Sequence, residues 1–239
     1  MKKLIIPFLL ILTLCSCGVG GPAEFEPLNA YINGEPVSWD EFLYFDEQLS
    51  SEVMSKFILE FDAVPDDEFW YTPVNGITPQ KYLNNLCKEK IIKAKIQLVL
   101  CRENNIYEDI SIDAFWQMKE QHNKTFVNNE TIGINKIPYA YYDYYIDNGV
   151  MELKNILGET TLAPTDEEIK NKMISVKEKY PDKTEDEQLS IAKDIIIEEK
   201  YDAYIEKLCD EAEVDWGIYD EYENKTTSTQ IYNFDGILN

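Results

Sequence analysis

The chain has 239 residues, of which 22 are Lys or Arg and 45 are Asp or Glu, so its formal charge is −23. A surface this acidic excludes a nucleic-acid binder, which needs basic side chains for the phosphates, and the many charges exclude a membrane-spanning bundle. Apolar residues make up 44% and aromatic residues 13%, which is enough for a folded core. One histidine, His122, and one arginine, Arg102, exclude sites that need several imidazoles or guanidinium groups. We expect an acidic globular protein of one or two domains.

The amino terminus has the pattern of a secretory signal. Two lysines precede an apolar run from Leu4 to Leu14, which is typical of a signal peptide and shorter than the roughly 20 residues that span a bilayer. The sequence Leu14-Cys15-Ser16-Cys17 resembles the lipobox of bacterial lipoproteins, in which the cysteine at the cleavage site becomes the acylated first residue. The resemblance implies that residues 1–16 are removed and that Cys17 carries the lipid. The alternative is an ordinary secretory signal whose cysteines are incidental.

Attachment to a lipid bilayer then depends on the acylated Cys17. Removing the signal removes two lysines and no acids, so the mature surface is more negative still and repels anionic head groups. Each buried methylene of an acyl chain contributes about 0.8 kcal/mol, and two or three chains anchor a protein stably. Residues 17–27 include the run Gly18-Val19-Gly20-Gly21-Pro22, which we interpret as a flexible tether.

Capping signals and apolar periodicity predict six helices in the mature chain. Most begin after an N-cap residue or at a proline that suits the first turn of a helix. The predicted helices run from Trp39 to near Pro65, from Pro79 to Asn104, from Ser111 to about Gln121, from Pro138 to Leu157, from Asp166 to before Pro181, and from Glu185 to Ala212. Gly158 is predicted to close the fourth helix as a C′ residue, and residues 121–135 are predicted to form a loop.

Two short strands are predicted at the ends of this helical region. Leu28, Ala30 and Ile32 alternate with polar residues before a turn signal at Asn33-Gly34, and residues 214–216 follow the last helix. We predict that the two runs pair, because neither is long enough to be stable alone. The predicted fold class is mostly α, with a small two-stranded β element that joins the ends of a single domain at residues 28–216. A polar tail follows at residues 217–239.

No catalytic signature stands out in the sequence. A nucleophile elbow, a P-loop, a GxGxxG motif and a paired CxxC are all absent. With 45 carboxylates, neighbours such as Asp66-Asp67-Glu68 arise by chance, and we expect them on a solvated face. His122 lies in a polar stretch and is expected at the surface. We therefore expect no metal site and no cofactor.

Three cysteines remain in the mature domain. Cys87 and Cys101 fall on one predicted helix, about 21 Å apart, whereas a disulfide joins Cα atoms less than about 7 Å apart. At most one disulfide, through Cys209, is possible. Three free thiols are favoured, because this is not the composition of a disulfide framework.

Aromatic residues gather in two segments and are the candidate binding residues. Tyrosine combines apolar area with a polar edge, which suits adaptable recognition of extended chains. Five tyrosines within seven positions cannot all face inward on one helix. The alternative for any one of these residues is that it fills the core. The candidates are Phe69, Trp70, Tyr71, Tyr139, Tyr141, Tyr142, Tyr144 and Tyr145.

The order of these features resembles the SurA-type N-terminal chaperone domain, and in particular the lipid-anchored PrsA-like foldases of Gram-positive bacteria. The resemblance rests on the lipobox, a short strand before Asn33-Gly34-Glu35, a capped helix, and Phe69-Trp70 leading through Asn75-Gly76 to a long helix. It covers about residues 28–216. In that family the chain closes with a helix and a strand that returns to pair with the first strand, as predicted here.

One departure from the family concerns its enzymatic module. The parvulin isomerase domain, on the order of 100 residues, would stand between Tyr180 and Thr184, where this chain has only Pro181-Asp182-Lys183. The prolyl isomerase residues therefore have no positions here. The resemblance implies the chaperone half alone, on the outer face of a Gram-positive cell membrane.

These observations leave three classes of function open. The leading hypothesis is a chaperone-like protein whose partners are unfolded or extended secreted polypeptides. The alternative is a structural or adaptor lipoprotein that docks one specific partner, which a single well-defined groove would favour. An enzyme of unrecognised type would require a pocket with convergent polar groups.

Overall fold

The computed structural model describes residues 28–125 and 142–218, and over these ranges the chain is mostly helical, as predicted. Six helices and three short strands are described. In chain order they are β1 (Ala30–Ile32), β2 (Glu35–Val37), α1 (Trp39–Phe61), α2 (Pro79–Glu103), α3 (Ile112–Thr125), α4 (Tyr142–Gly158), α5 (Asp166–Lys179), α6 (Glu185–Asp210) and β3 (Val214–Asp215). The predicted signal peptide, lipidated Cys17 and tether, and the tail after residue 218, lie outside the described residues.

The strands form one antiparallel sheet in the order β2-β1-β3. The predicted pairing of the two chain ends is confirmed, because Ile32 is paired with Val214 and Tyr31 with Asp215. The prediction of only two strands is wrong. Asn33 and Gly34 have φ values of 50° and 80°, which is typical of the two-residue turn of a β-hairpin, and the turn leads directly into β2. Trp216, predicted to belong to the closing strand, follows it.

Helix α2 is the centre of the molecule. It contacts α1, α4, α6 and β1, and its second half is buried on nearly every side, as expected of a helix that is surrounded by others. One large hydrophobic cluster includes residues of β1, β2 and every helix except α5, and Trp216, which follows β3, packs against it. Because α2 contacts all four of these elements, its side chains determine how they are placed.

Helices α5 and α6 form an antiparallel pair that extends from the main core. Val176, Ala192 and Ile196 are buried, but they do not belong to the large cluster. Both helices begin with the predicted capping boxes. The hydroxyl of Thr165 accepts a hydrogen bond from the backbone N–H of Glu168, and the hydroxyl of Thr184 accepts one from the backbone N–H of Glu187. Only residues 180–184 connect the two helices.

Two predicted details of the helix ends are corrected by the structure. Helix α3 continues to Thr125, past Gln121, where a loop was predicted. Gly158 is the last residue of α4 and does not adopt a positive φ, so it is not a C′ residue. Its role is close packing instead, since a Cβ atom there would lie 2.7 Å from Cδ1 of Ile197 in α6.

The three cysteines of the domain are free thiols, as predicted. Burial raises the pKa of Cys101 to about 12 and also raises that of Cys87, so neither has the exposed thiolate that reactive cysteines need. Among the described residues, none of the helices combines the length and the apolar character that crossing a bilayer requires.

Candidate interaction surface

The structure places two of the candidate aromatic residues in the core. Tyr142 is fully buried and contacts the ring of Tyr44 edge to face, with the ring centroids 5.3 Å apart. Phe69 is 3% exposed and contacts the ring of Trp70 edge to face at 5.1 Å. Tyr142 and Phe69 therefore support the fold and offer no surface to a partner. Tyr139 and Tyr141 lie outside the described residues.

The other described tyrosines of the second segment divide between packing and exposure. Tyr145 is partly buried and stacks on Tyr107, with the ring centroids 4.3 Å apart. The hydroxyl of Tyr107 donates a 2.8 Å hydrogen bond to the carbonyl oxygen of Tyr145. Tyr144 remains 59% exposed. Tyr142 and Tyr145 therefore fasten α4 to α1 and to the connection between α2 and α3.

A buried ion pair lies behind these aromatic residues. Lys95 Nζ is 2.6 Å from Glu41 Oε1, and the two side chains are 4% and 5% exposed. The same carboxylate accepts a hydrogen bond from the hydroxyl of Tyr142 at 3.3 Å and caps α1 through the backbone N–H of Ser38 at 2.9 Å. Burial and the Glu41 carboxylate raise the pKa of Tyr142 well above its ordinary value.

This network orients α1, α2 and α4, and its side chains are too deeply buried to contact a substrate. Removing one partner of a buried pair leaves an uncompensated charge, so the pair constrains how α1, α2 and α4 fit together. Sequence reasoning identified Glu41 as a capping residue but missed Lys95. The available signal was a lysine within the apolar run of α2, between Ala94 and Ile96.

The last turn of α1 and the connection from α1 to α2 form a corner that we define as residues 59–78. Several backbone hydrogen bonds order it, including those from Phe69 to the Asp66 carbonyl and from Gln80 to the Trp70 carbonyl, both 3.1 Å long. Val74 and Ile77 form a β-bridge around Asn75 and Gly76, which both have positive φ. With Phe69 buried beneath them, the residues between the two helices are held in place without a helix or a long strand of their own.

The α1–α2 corner exposes large apolar side chains. Leu59 is 81% exposed, Val64 67% and Tyr71 41%, while Trp70 is partly buried against the core. Of the first candidate segment, Tyr71 is thus the residue that faces solvent. Leu59 and Val64 were not identified from the sequence. Leu59 lies in the last turn of α1 on the side opposite the buried Phe57, and that position was the available signal.

One small cavity and one open, polar groove lie among the described residues. A cavity of about 150 Å³ lies between β1, α2 and α6, lined mainly by apolar side chains that include Ile32, Val99 and Leu208. An open groove of about 390 Å³ lies between α5 and α6, where Lys172 is paired with Glu199 at 2.7 Å and Lys200 with Glu168 at 3.1 Å. The charged groups that line this groove therefore already have partners.

The described residues also contain no group of three or more His, Cys, Asp or Glu side chains that could hold a metal ion. What they offer is exposed apolar area on an ordered corner whose sequence also contains several acids. Such a surface can bind a partner by contact area and charge. Comparisons with protein-family models, with curated proteins and with solved structures find no match to this chain.

Proposed function

We propose that the protein is a membrane-anchored, extracytoplasmic, chaperone-like lipoprotein that binds unfolded or extended secreted polypeptides and has no prolyl isomerase activity. The observation that carries the proposal is the exposure of Leu59 and Val64, at 81% and 67%, on a corner that backbone hydrogen bonds hold in place. Exposed apolar surface of this kind is typical of sites that contact other polypeptides.

The arrangement of the chain ends supports the same proposal. Strand β3 returns after α6 to pair with β1, which is the closure that the resemblance to SurA-type chaperone domains implies. Helices α5 and α6 are joined directly by residues 180–184, where that family carries its isomerase module. Lowering the barrier to rotation about an X-Pro bond, ~20 kcal/mol, requires a dedicated site, and a five-residue connection provides no room for one.

The proposal is tested with two solution assays on the purified protein. In a light-scattering assay, the protein should suppress aggregation of a chemically denatured client that is diluted into buffer. In a refolding assay limited by proline isomerisation, the protein should leave the rate unchanged. Isomerase activity above background would contradict the enzymatic part of the proposal. Failure to suppress aggregation would favour the adaptor alternative, a lipoprotein that docks one folded partner.

A further inference from the structure

We infer that the α1–α2 corner binds extended segments that combine apolar and cationic residues. The inference rests on the proposed function and specifies both the surface and the chemistry of the client. It starts from two independent properties of the corner, its exposed apolar side chains and its uniform negative charge.

The apolar property comes from side chains that the fold leaves unpacked. Leu59 and Val64 expose most of their surface, and Tyr71 adds a half-exposed ring. All three lie within the thirteen positions 59–71 of the sequence, beside core residues such as Phe69. Burying such side chains against a client is favourable in proportion to the apolar area removed from water.

The charge of the corner comes from five acids, and residues 59–78 contain no basic residue. Lys56 and Lys81 are the nearest basic residues on either side, and Lys56 forms one exposed pair with Glu60 at 3.4 Å. The other four acids form no ion pair among the described residues, and the one described side-chain contact among them is the hydrogen bond from the Glu68 N–H to Asp66 at 3.0 Å. The five acids are Glu60, Asp62, Asp66, Asp67 and Glu68.

Charge complementarity therefore selects the client. Acidic side chains around an apolar patch attract cationic segments and repel anionic ones, which affects both the rate of encounter and the choice of partner. A segment with alternating apolar and basic residues can place the former on Leu59 and Val64 and the latter near Asp67 and Glu68. A purely apolar segment would contact Leu59 and Val64 but would make no favourable interaction with the acidic side chains.

Two other exposed apolar residues provide a matched control. Met151 on α4 is 62% exposed and Ile174 on α5 is 71% exposed, close to the values of Val64 and Leu59. Their surroundings in the sequence are less acidic than the corner. The thirteen positions centred on Met151 contain two acids and one lysine and those centred on Ile174 two acids and four lysines, whereas positions 59–71 contain five acids and no basic residue. The inference assigns client binding to the corner and not to these positions.

The test measures binding of three labelled, unstructured peptides of equal length to the full chain by fluorescence anisotropy. The first peptide contains Leu and Lys, the second Leu and Glu, and the third Ser and Lys, each diluted with Gly and Ser. The Leu/Lys peptide should bind at least about tenfold more tightly than either of the others, because only it satisfies both the apolar and the charged part of the surface. Added salt should weaken its binding.

Three variants locate the binding surface. Leu59→Ser with Val64→Ser should weaken binding of the Leu/Lys peptide at least about fivefold, as expected for central apolar contacts. Asp67→Asn with Glu68→Gln should weaken the same binding and reduce its dependence on salt. Met151→Ser with Ile174→Ser should leave binding unchanged. All six positions are exposed, so melting temperatures close to that of the unmodified protein should confirm that each variant folds.

The outcomes separate this inference from the proposed function. If the Leu59/Val64 variant binds normally and the Met151/Ile174 variant does not, the inference is overturned while the proposed function stands. Equal affinity for the Leu/Lys and Leu/Glu peptides would overturn the cationic preference. If no peptide binds and the protein also fails to suppress aggregation, the proposed function itself is contradicted.

Discussion

Asp46 carries a buried carboxylate oxygen, Oδ1, that has no hydrogen-bond partner among the described residues. Burial and the neighbouring Glu47 raise the pKa of this carboxyl group from 3.8 to about 6. In the unfolded chain the group ionises near its ordinary pKa, whereas in the folded protein it resists ionisation. The folded state is therefore penalised as the pH rises from about 4, and the full penalty is present above about pH 6.

We predict that Asp46→Asn stabilises the protein above about pH 7. A shift of roughly two units corresponds to at most about 3 kcal/mol. Because part of the side chain reaches solvent and the amide has its own desolvation cost, we expect a gain of about 1–2 kcal/mol. Most of the gain should disappear between about pH 6 and pH 4. Urea unfolding at several pH values measures it.

The exposed Glu52 on the same helix provides the control for this prediction. Glu52→Gln removes the same charge from α1 without relieving a buried carboxylate, so it should change the unfolding free energy by less than about 0.5 kcal/mol. An equal effect of the two substitutions, or a gain from Asp46→Asn that does not vary with pH, would contradict the assignment of a buried, destabilising charge.

At the scale of single residues, hydrogen-bond and ion-pair partners could be predicted from the sequence where they are local but not where they are far apart in the chain. The capping box of Ser38 and Glu41 could be predicted because both residues lie within one turn. The pairing of Glu41 with Lys95 could not, since 54 positions separate them and only the packing of α1 on α2 brings them together. For the same reason, the sequence identified the aromatic candidates but could not show that Phe69 and Tyr142 are buried.

Helix α4 approaches its neighbours closely at two glycines. A Cβ atom on Gly149 would lie 2.6 Å from Cε2 of Tyr107 and 3.0 Å from Sγ of Cys101, whereas a Cβ atom on Gly158 would meet mainly the end of the Ile197 side chain. The Tyr107 ring is fixed by its stack on Tyr145 and cannot move aside without loss. The Ile197 side chain ends in a flexible methyl group.

We predict that Gly149→Ala destabilises the protein although alanine is the better helix former. Alanine gains about 1 kcal/mol over glycine inside a helix, but overpacking a fixed ring costs about 1–3 kcal/mol, so we expect a net loss of about 1–2 kcal/mol. Gly158→Ala, with a more adaptable neighbour, should be close to neutral. Thermal unfolding compares the two. A Gly149→Ala variant at least as stable as the original protein would contradict the close packing of α4 on Tyr107.

At the scale of elements, helix starts were predicted well because their signals are local. Three capping boxes and the Thr78-Pro79 start gave the first residues of four helices. Strand β2 was missed because it is three residues long and contains Pro36, which lacks a backbone donor. Gly158 was misassigned because a glycine at a helix end signals either a C′ residue or a close contact, and only the position of α6 decides between them.

The whole molecule is closed by the pairing of its two ends. Besides the register of β1 with β3, the N–H of Ile218 donates to the carbonyl of Leu28 at 3.2 Å, and the N–H of Asn33 donates to the carbonyl of Glu213 at 2.8 Å. Lys88 lies over the ring of Trp216, 5.5 Å from its centroid. These contacts join residues that are far apart in the sequence.

We predict that truncation after Glu211 lowers the melting temperature by about 5 °C or more, because each ~1 kcal/mol lost corresponds to roughly 2–4 °C in a domain of this size. The truncation removes β3 and Trp216, so the edge of β1 that pairs with β3 loses its hydrogen-bond partners. Truncation after Ile218 keeps the closure and should have little effect. Differential scanning calorimetry measures both. Equal melting temperatures for the two truncated chains would refute a stabilising role for the closure.

Membrane attachment is predicted to depend on Cys17 alone. A chain with 45 acidic and 22 basic residues has no net attraction for anionic lipids, so Cys17→Ser should release the protein into the medium. Cys15→Ser, which alters the neighbouring cysteine, should leave most of the protein on the membrane. Fractionation followed by immunoblotting distinguishes the two variants. Retention of the Cys17→Ser protein on the membrane would contradict the lipoprotein assignment.

The most direct test of the proposed function compares one client in two states. A protein that is reduced and alkylated so that it cannot fold, and the same protein in its native state, are each titrated into the purified chain, and binding is measured by isothermal titration calorimetry. Binding of the unfolded form alone, with the negative heat-capacity change that burial of apolar surface produces, is the result that our account predicts. Equal binding of both forms, or no binding of the unfolded form, would contradict it.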